Sequence, residues 1–283
     1  MTFTGFIGFV FNFPLRGIIW TCVTLRISPN ALTVIGVLVN VVAAWELAHT
    51  RFISAGCWMI AANVFDYIDG KVAHELKMVT AFGGFWDSVM DRISDITLFI
   101  GLIALYNDLG TGHRDYVLTT SLAMMFAVMT SYTRARAESL IDKCKVGFME
   151  RPERIVLFMI GAFTNRMAAV LWVILVLSVV TVADRIFLTW RELQAGRGLA
   201  SVKAGTAPAP VPGSQPGSMK KMATLPALIV WRGLFWTYER ATWQYDVMVI
   251  AILSFVWMVP ARFLADPMAL NGRGVLQWLM GWP

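Results

Sequence analysis

A chain of 283 residues that is 57% hydrophobic and 15% charged, with mean hydropathy +0.63, carries more apolar surface than one water-facing core absorbs; soluble domains average about 45–50% apolar and about 25% charged residues. The composition points to an integral membrane protein and excludes a largely disordered chain. It also excludes a secreted disulfide scaffold, because the three cysteines (Cys22, Cys57, Cys144) are odd in number and match no metal spacing. The net charge of +6 fits loops facing anionic lipid and the cytoplasm, and no basic run with interleaved aromatics points to nucleic acid.

In chain order, Phe3–Leu25 is apolar but broken by Pro14 and Arg16, and it has no small-residue cleavage site. Residues 1–26 are expected to form an amphipathic helix in the membrane interface, Phe-rich on one side. Ser28-Pro29-Asn30 then breaks the chain. Six apolar stretches follow: Leu32–Ala48, Phe52–Val72, Phe82–Tyr106, Tyr116–Tyr132, Ile155–Phe163 and Met167–Phe187. A span takes about 20 mostly apolar residues, so the fifth reaches span length only if its helix runs from near Arg151 to Asn165. Lipid cannot satisfy open backbone groups, which makes these helices rather than strands. The expected fold is an all-α integral membrane protein, a six-helix bundle over residues 27–194.

Lys and Arg set the orientation. With the N-terminus inside, the inner loops carry Arg16, Arg26, Lys71, Lys77 and the cluster Arg134, Arg136, Lys143, Lys145, Arg151 and Arg154, whereas the outer loops carry Arg51, Arg114 and Arg166. Residues 195–224 include the Gly-, Pro-, Ala- and Ser-rich Gly196–Ser218 and read as a flexible cytoplasmic linker. Residues 225–283 hold an aromatic segment, Trp231–Trp243, and a last apolar stretch, Val247–Leu264, interrupted by Pro260 and Arg262. The sequence leaves that stretch open between a seventh span and an interfacial hairpin. Its tryptophans read as interfacial anchors.

The chemistry concentrates at residues 63–95. Asp66 and Asp69 are spaced i, i+3, and Gly70 and Ala73 follow on the same helix face; on the next helix Gly83, Asp87, Asp91 and Asp95 recur every four residues. A short turn near Lys77–Thr80 makes the two helices antiparallel neighbours, so two carboxylate faces meet near the cytoplasmic end. A charged residue at mid-membrane costs roughly 2.5–3.5 kcal/mol on insertion scales. Hard divalent cations with oxygen ligands offset such a cost, and the interleaved small residues leave room for a ligand to approach the backbone.

These residues match the pattern D-x2-D-G-x2-A-R-x8-G-x3-D-x3-D as Asp66, Asp69, Gly70, Ala73, His74, Gly83, Asp87 and Asp91, with His74 in place of the arginine. From about Ile27 to Arg191 the chain therefore resembles the CDP-alcohol phosphotransferase family. The resemblance implies a homodimeric six-helix membrane enzyme that cleaves the pyrophosphate of a CDP-linked lipid, passes the phosphatidyl group to an alcohol and releases CMP. It implies a pair of Mg²⁺ or Mn²⁺ ions on Asp66, Asp69 and Asp87, with Asp91 as general base and further metal contact. It also implies CDP contacts from Asp66, Asp69, Gly70, Ala73, His74 and Gly83. Neutral imidazole has one donor where guanidinium has five, so Lys71 or Lys77 is expected to compensate at position 74, or activity is altered.

The stretches Ser131–Ser139 (SYTRARAES) and Gly147–Arg154 (GFMERPER) look like the phosphatidylinositol phosphate and archaetidylinositol phosphate synthase branch. This likeness implies that Arg134, Arg136, Arg151, Arg154 and Arg185 hold an acceptor phosphate through forked donors. The expected reaction is transfer from CDP-diacylglycerol to inositol 1-phosphate at the cytoplasmic face of the cell membrane. Glycerol 3-phosphate or another polar alcohol is the alternative acceptor. A catalytically silent lipid- or partner-binding member is the rival from another class, motivated by His74 and the C-terminal segment.

Overall fold

The computed structural model describes residues 17–110, 113–196 and 243–259, with residues 263, 264, 266 and 268. Among them there is no strand. Seven helices follow in order: α1 (Pro29–Ala48), α2 (Phe52–Glu75), α3 (Ala81–Asp108), α4 (Arg114–Glu138), α5 (Arg151–Thr164), α6 (Met167–Gln194) and α7 (Trp243–Met258). Residues 17–24 are also helical. The expected linker and most of the expected interfacial helix and aromatic segment lie outside the described residues.

Local chemistry sets the boundaries. Pro29 occupies the first turn of α1 after an extended Ser28, where its missing N–H costs nothing. The Thr80 hydroxyl caps α3 by accepting from the Gly83 N–H at 2.9 Å. Among the described residues the four with positive φ other than glycine, Arg26, Thr50, Lys77 and Asn165, all follow a helical segment, where a left-handed residue ends the run. The six apolar stretches each fall on one of α1 to α6, but the helices outrun them. α1 begins at Pro29, α2 continues to Glu75 and α4 to Glu138, because hydrogen bonding carries a helix past its last apolar residue. α5 runs Arg151–Thr164; it starts where the fifth stretch required, but its 14 residues fall short of the about 20 of a span.

The chain divides into two compact units, residues 1–117 and 118–283. In the first, α1 packs on both α2 and α3. Helix 17–24 joins them through Ile19 and Cys22, buried in one cluster with Leu32, Ile68 and Val72. The α1–α3 contact is backbone to backbone at Gly101, where a Cβ would stand 2.4 Å from the Ala44 carbonyl oxygen. Asn40 of α1 also donates to the Ser94 hydroxyl of α3 inside this core.

In the second unit α6 packs on α5 and α7. Among the described residues two helices, α1 and α6, are long and apolar enough to cross a membrane, and Tyr245–Met258 is a shorter apolar helix. Large apolar side chains also stand outward along these helices, among them Leu38, Val41 and Trp45 on α1, Trp172, Val176 and Ile186 on α6, and Ile250 and Trp257 on α7. Water-facing surfaces rarely show so many in succession.

Candidate functional site

The acidic site is assembled by α1, α2 and α3 of the first unit. Asp66 and Asp69 come from α2, and Asp87 comes from the second turn of α3. One carboxylate oxygen of each lies within 4.8 Å of the others. Repulsion between two such charges at that distance is about 3 kcal/mol at an effective dielectric of about 20. α1 contributes Thr33, whose hydroxyl donates to Asp69 Oδ2 at 2.6 Å and so fixes the rotamer of the buried member of the trio.

The three acids line a cleft of about 270 Å³. Pro29, Asn30 and Thr33 form one wall, Gly70, Ala73 and His74 a second, and Thr80, Gly83 and Gly84 a third. A Cβ added at Gly70 or Gly84 would meet nothing within 4 Å, whereas one at Gly83 would meet the capping Thr80 hydroxyl at 3.1 Å. Gly83 is thus explained by the α3 cap. Gly70 and Gly84 have no protein neighbour to explain them, and both border the cleft. An oxygen-only donor set of three carboxylates suits hard divalent cations, and bare backbone beside it suits a ligand that approaches closely. The residues present fit both a metal and a phosphate-bearing ligand.

The other expected site residues are placed as follows. Asp91 lies one turn beyond Asp87, outside the convergent trio, with Oδ2 3.8 Å from the Arg92 guanidinium. Asp95, a turn further, is buried. His74 sits in the last turn of α2 and lines the cleft. Neither Lys71 nor Lys77 does so; the Lys71 ammonium stands 5.5 Å over the Tyr67 ring.

The arginines belong to the second unit, and their surroundings differ. Arg154 and Arg185 are each only 2% exposed. Arg154 donates to the Thr130 hydroxyl at 3.1 Å. Arg185 donates from all three of its nitrogens: to the Val146 carbonyl at 3.0 Å, to the Thr130 carbonyl, and to Glu150 Oε1 at 3.4 Å. That same Glu150 oxygen accepts from Arg134 at 2.8 Å, while Arg134 Nε reaches Glu138 at 3.1 Å. The structure therefore joins Arg134 and Arg185 at one carboxylate oxygen and links Arg154 to Arg185 through Thr130. Arg136 is exposed and donates to the Ser139 hydroxyl at 3.3 Å. Arg151 stands in the first turn of α5. Nearby Cys144 is buried; burial pushes its thiol above the usual range against the opposing pull of Arg185, which marks an inert cysteine.

Sequence reasoning missed Thr33, Thr80 and Glu150 as working parts. Thr33 and Glu150 carry no local signal for roles that depend on contacts 36 and 35 residues away. Thr80 did carry one, a threonine three residues before Gly83 at the start of an apolar run.

A family model described as CDP-alcohol phosphatidyltransferase matches residues 26–190. The archaetidylinositol phosphate synthase of Methanothermobacter thermautotrophicus is 36% identical over 176 residues, which is 60% of this chain and 87% of that protein. Among solved structures, the Mycobacterium tuberculosis phosphatidylinositol phosphate synthase with CDP-DAG bound superposes with TM-score 0.58 at 26% identity, over 66% of this chain and 96% of that one. The same enzyme in complex with manganese and citrate gives TM-score 0.59 at 26% identity, over 66% of this chain and 91% of that one.

Proposed function

The chain belongs to the CDP-alcohol phosphatidyltransferase family, and from that premise we propose a multi-pass enzyme of the cell membrane that transfers the phosphatidyl group of CDP-diacylglycerol to inositol 1-phosphate and releases CMP. The observation that carries the reading is the convergence of Asp66, Asp69 and Asp87 beside the uncovered backbone of Gly70 and Gly84. The reaction class is that of the family. The acceptor rests on the inositol phosphate chemistry for which the similar synthases are named and on the arginine cluster.

Asp66, Asp69 and Asp87 would hold the divalent cations, Mg²⁺ or Mn²⁺, with Asp91 as a further contact. Bound there, paired cations neutralise charge on the transferring and leaving phosphates. The remaining work falls to the chain itself. Thr33 holds Asp69 in place. Gly70, Ala73, Gly83 and His74 border the CDP group, whose diphosphate approaches bare backbone. Asp91 accepts the proton of the attacking hydroxyl, a contribution typically worth about 10²–10⁴ in rate. Arg134 and Arg185 already share one carboxylate oxygen on Glu150, and an acceptor phosphate offers the same chemistry to the same donors. Arg136 and Arg151 add charge, and Arg154 supports Thr130 beneath Arg185.

The outward apolar side chains and the concentration of Lys and Arg in alternate loops support six spans, a cytoplasmic active site and contact with membrane lipid. Homodimer formation rests on the family resemblance.

Purified protein supplied with CDP-diacylglycerol, Mg²⁺ or Mn²⁺ and a panel of alcohols tests the whole reading through CMP release. Inositol 1-phosphate is expected to give the highest kcat/KM, with Asp91→Asn reducing turnover by about 10²–10⁴. A higher value with glycerol 3-phosphate would replace the acceptor. No CMP with any alcohol, from folded protein that still binds CDP-diacylglycerol, would make this a silent lipid-binding member.

A further inference from the structure

The connection from α4 to α5 has two sides. On one, its last residues hold the arginines: the Val146 carbonyl and Glu150 carboxylate accept from Arg185, and Glu150 accepts from Arg134. The Met149 N–H donates to the Thr181 hydroxyl at 3.1 Å. Gly147, at φ +92, lets the chain approach so closely that a Cβ would stand 2.3 Å from Thr181 Cγ2. The Glu150 N–H donates back to the Phe148 carbonyl at 3.0 Å, and the Arg154 N–H to the Glu150 carbonyl at 3.2 Å. Residues 148–154 are thus tied to one another through their own backbone.

On the other side stands α7, which lies outside the stretch the family model matches. Tyr245, in its first turn, touches this piece both before and after Glu150. Its ring packs on Phe148 with centroids 5.3 Å apart, and its hydroxyl donates to Glu153 Oε1 at 3.2 Å. The far end of α7 is held separately. Arg166 donates to the carbonyl oxygens of Val259 at 2.7 Å and Val256 at 3.4 Å, where a cation suits a helix C-terminus. Between α5 and α7 an apolar groove of about 330 Å³ runs past Val156, Ile160, Val249 and Leu253, with Glu153 among the residues that line it.

We propose that Tyr245 is a positioning residue for the acceptor. It holds residues 148–153 against α7, and through Glu150 it sets the separation and direction of Arg134 and Arg185. This rests on the reading of those arginines as the acceptor site. The C-terminal helix is then a working part of this enzyme rather than an appendage. Its contribution is selective, because Tyr245 belongs with Glu150 and the arginines to the second compact unit, whereas the acidic trio and its cleft belong to the first.

The test uses the full-length chain as wild type, Tyr245→Ala, Tyr245→Phe and Phe148→Leu, with CMP release measured against inositol 1-phosphate and CDP-diacylglycerol in turn. Tyr245→Ala is expected to raise the acceptor KM about tenfold, through loss of a ring contact and a charge-assisted hydrogen bond. The KM for CDP-diacylglycerol and kcat stay within about twofold. Tyr245→Phe keeps the ring and recovers part of the loss. Phe148→Leu reproduces the shift and is not additive with Tyr245→Ala. An unchanged acceptor KM in Tyr245→Ala overturns the proposal. So does a parallel fall of kcat and rise of both KM values with a lowered thermal midpoint, which is a structural role only. Should Tyr245→Ala not fold, the Phe148→Leu and Tyr245→Phe profiles decide by the same split. A wild type that uses only an unphosphorylated alcohol defeats the acceptor reading instead, and the KM split measured with that alcohol then decides the role of Tyr245.

Discussion

The acidic cleft and the arginine cluster treat charge in opposite ways. In the cleft three like charges are drawn within 4.8 Å of one another beside two glycines whose missing side chains leave space. In the cluster, Arg185 is packed to 2% exposure and meets two carbonyls and a carboxylate. The first arrangement raises the energy of the folded chain, a cost that the proposed cation and ligand would offset. The second lowers it through contacts already made. Activity and stability therefore come apart in the cleft and travel together in the cluster.

The sharpest break in that contrast comes from Asp87→Asn. Removing one of three like charges relieves repulsion, so the thermal midpoint in the presence of a chelator holds or rises. CMP release falls by about 10³, the loss expected when charge stabilisation of a phosphoryl transfer is disabled. Added Mn²⁺ raises the midpoint of wild type, since a ligand that binds only the folded state stabilises it, and it does so less or not at all in the variant. A chelated variant that unfolds well below wild type would mean that the trio is a structural element.

Arg185→Ala tests the other side. It leaves the Val146 and Thr130 carbonyls and one donor's share of Glu150 without their partner in a buried setting. Glu150 is partly exposed and keeps Arg134 at 2.8 Å, so the cost comes mainly from the stranded carbonyls, about 1–3 kcal/mol for each buried group left unsatisfied, read as a fall in the unfolding midpoint. Arg185→Lys recovers little, because an ammonium is a point charge and cannot reach three acceptors in one plane. Reduced activity with unchanged stability would place Arg185 in the same class as the acids.

Much of this architecture was legible in the sequence because it is written locally. Apolar runs of span length gave α1 to α4 and α6, and the spacing of Asp66, Asp69, Asp87 and Asp91 gave two acidic helix faces without any contact information. α5 was legible as a helix that had to begin near Arg151, and at 14 residues (Arg151–Thr164) it is shorter than the about 20 residues of a span. What stayed hidden depends on distant pairs. Thr33 reaches Asp69 across 36 residues, Glu150 reaches Arg185 across 35, and Tyr245 reaches Glu153 across 92. The arginines also illustrate the limit of residue type: the sequence identifies five cations but not that two of them are sealed in the interior.

Glycines refine the comparison at smaller cost. Gly101→Ala forces a Cβ to 2.4 Å from the Ala44 carbonyl oxygen, so α1 and α3 must part, at about 1–3 kcal/mol for overpacking. Gly70→Ala meets nothing within 4 Å and gains up to about 1 kcal/mol of helix propensity, so the chain is as stable or slightly more so. The same methyl enters the space beside Asp66 and Asp69, and the KM for CDP-diacylglycerol rises severalfold. A Gly70→Ala enzyme with unchanged KM would remove the argument that this backbone is left bare for a ligand.

The smallest effect is expected at His74, where the chain departs from its family pattern. His74 lines the cleft from the last turn of α2, a position where a cation is favoured by the helix dipole by about 0.3–1 kcal/mol. The lysines on either side do not reach the cleft; Lys71 is drawn to the Tyr67 ring, and Lys77 takes the left-handed turn that ends the helix. Neither lysine thus stands in for the missing guanidinium, and the cleft presents an imidazole at that wall. His74→Arg restores forked donors toward a bound diphosphate without disturbing the trio. Turnover is expected to hold or rise by a factor of a few, with a lower KM for CDP-diacylglycerol and an unchanged KM for the acceptor. Complete loss of turnover would show instead that the imidazole has a task of its own, and the cleft would then differ from the family's in chemistry as well as in composition.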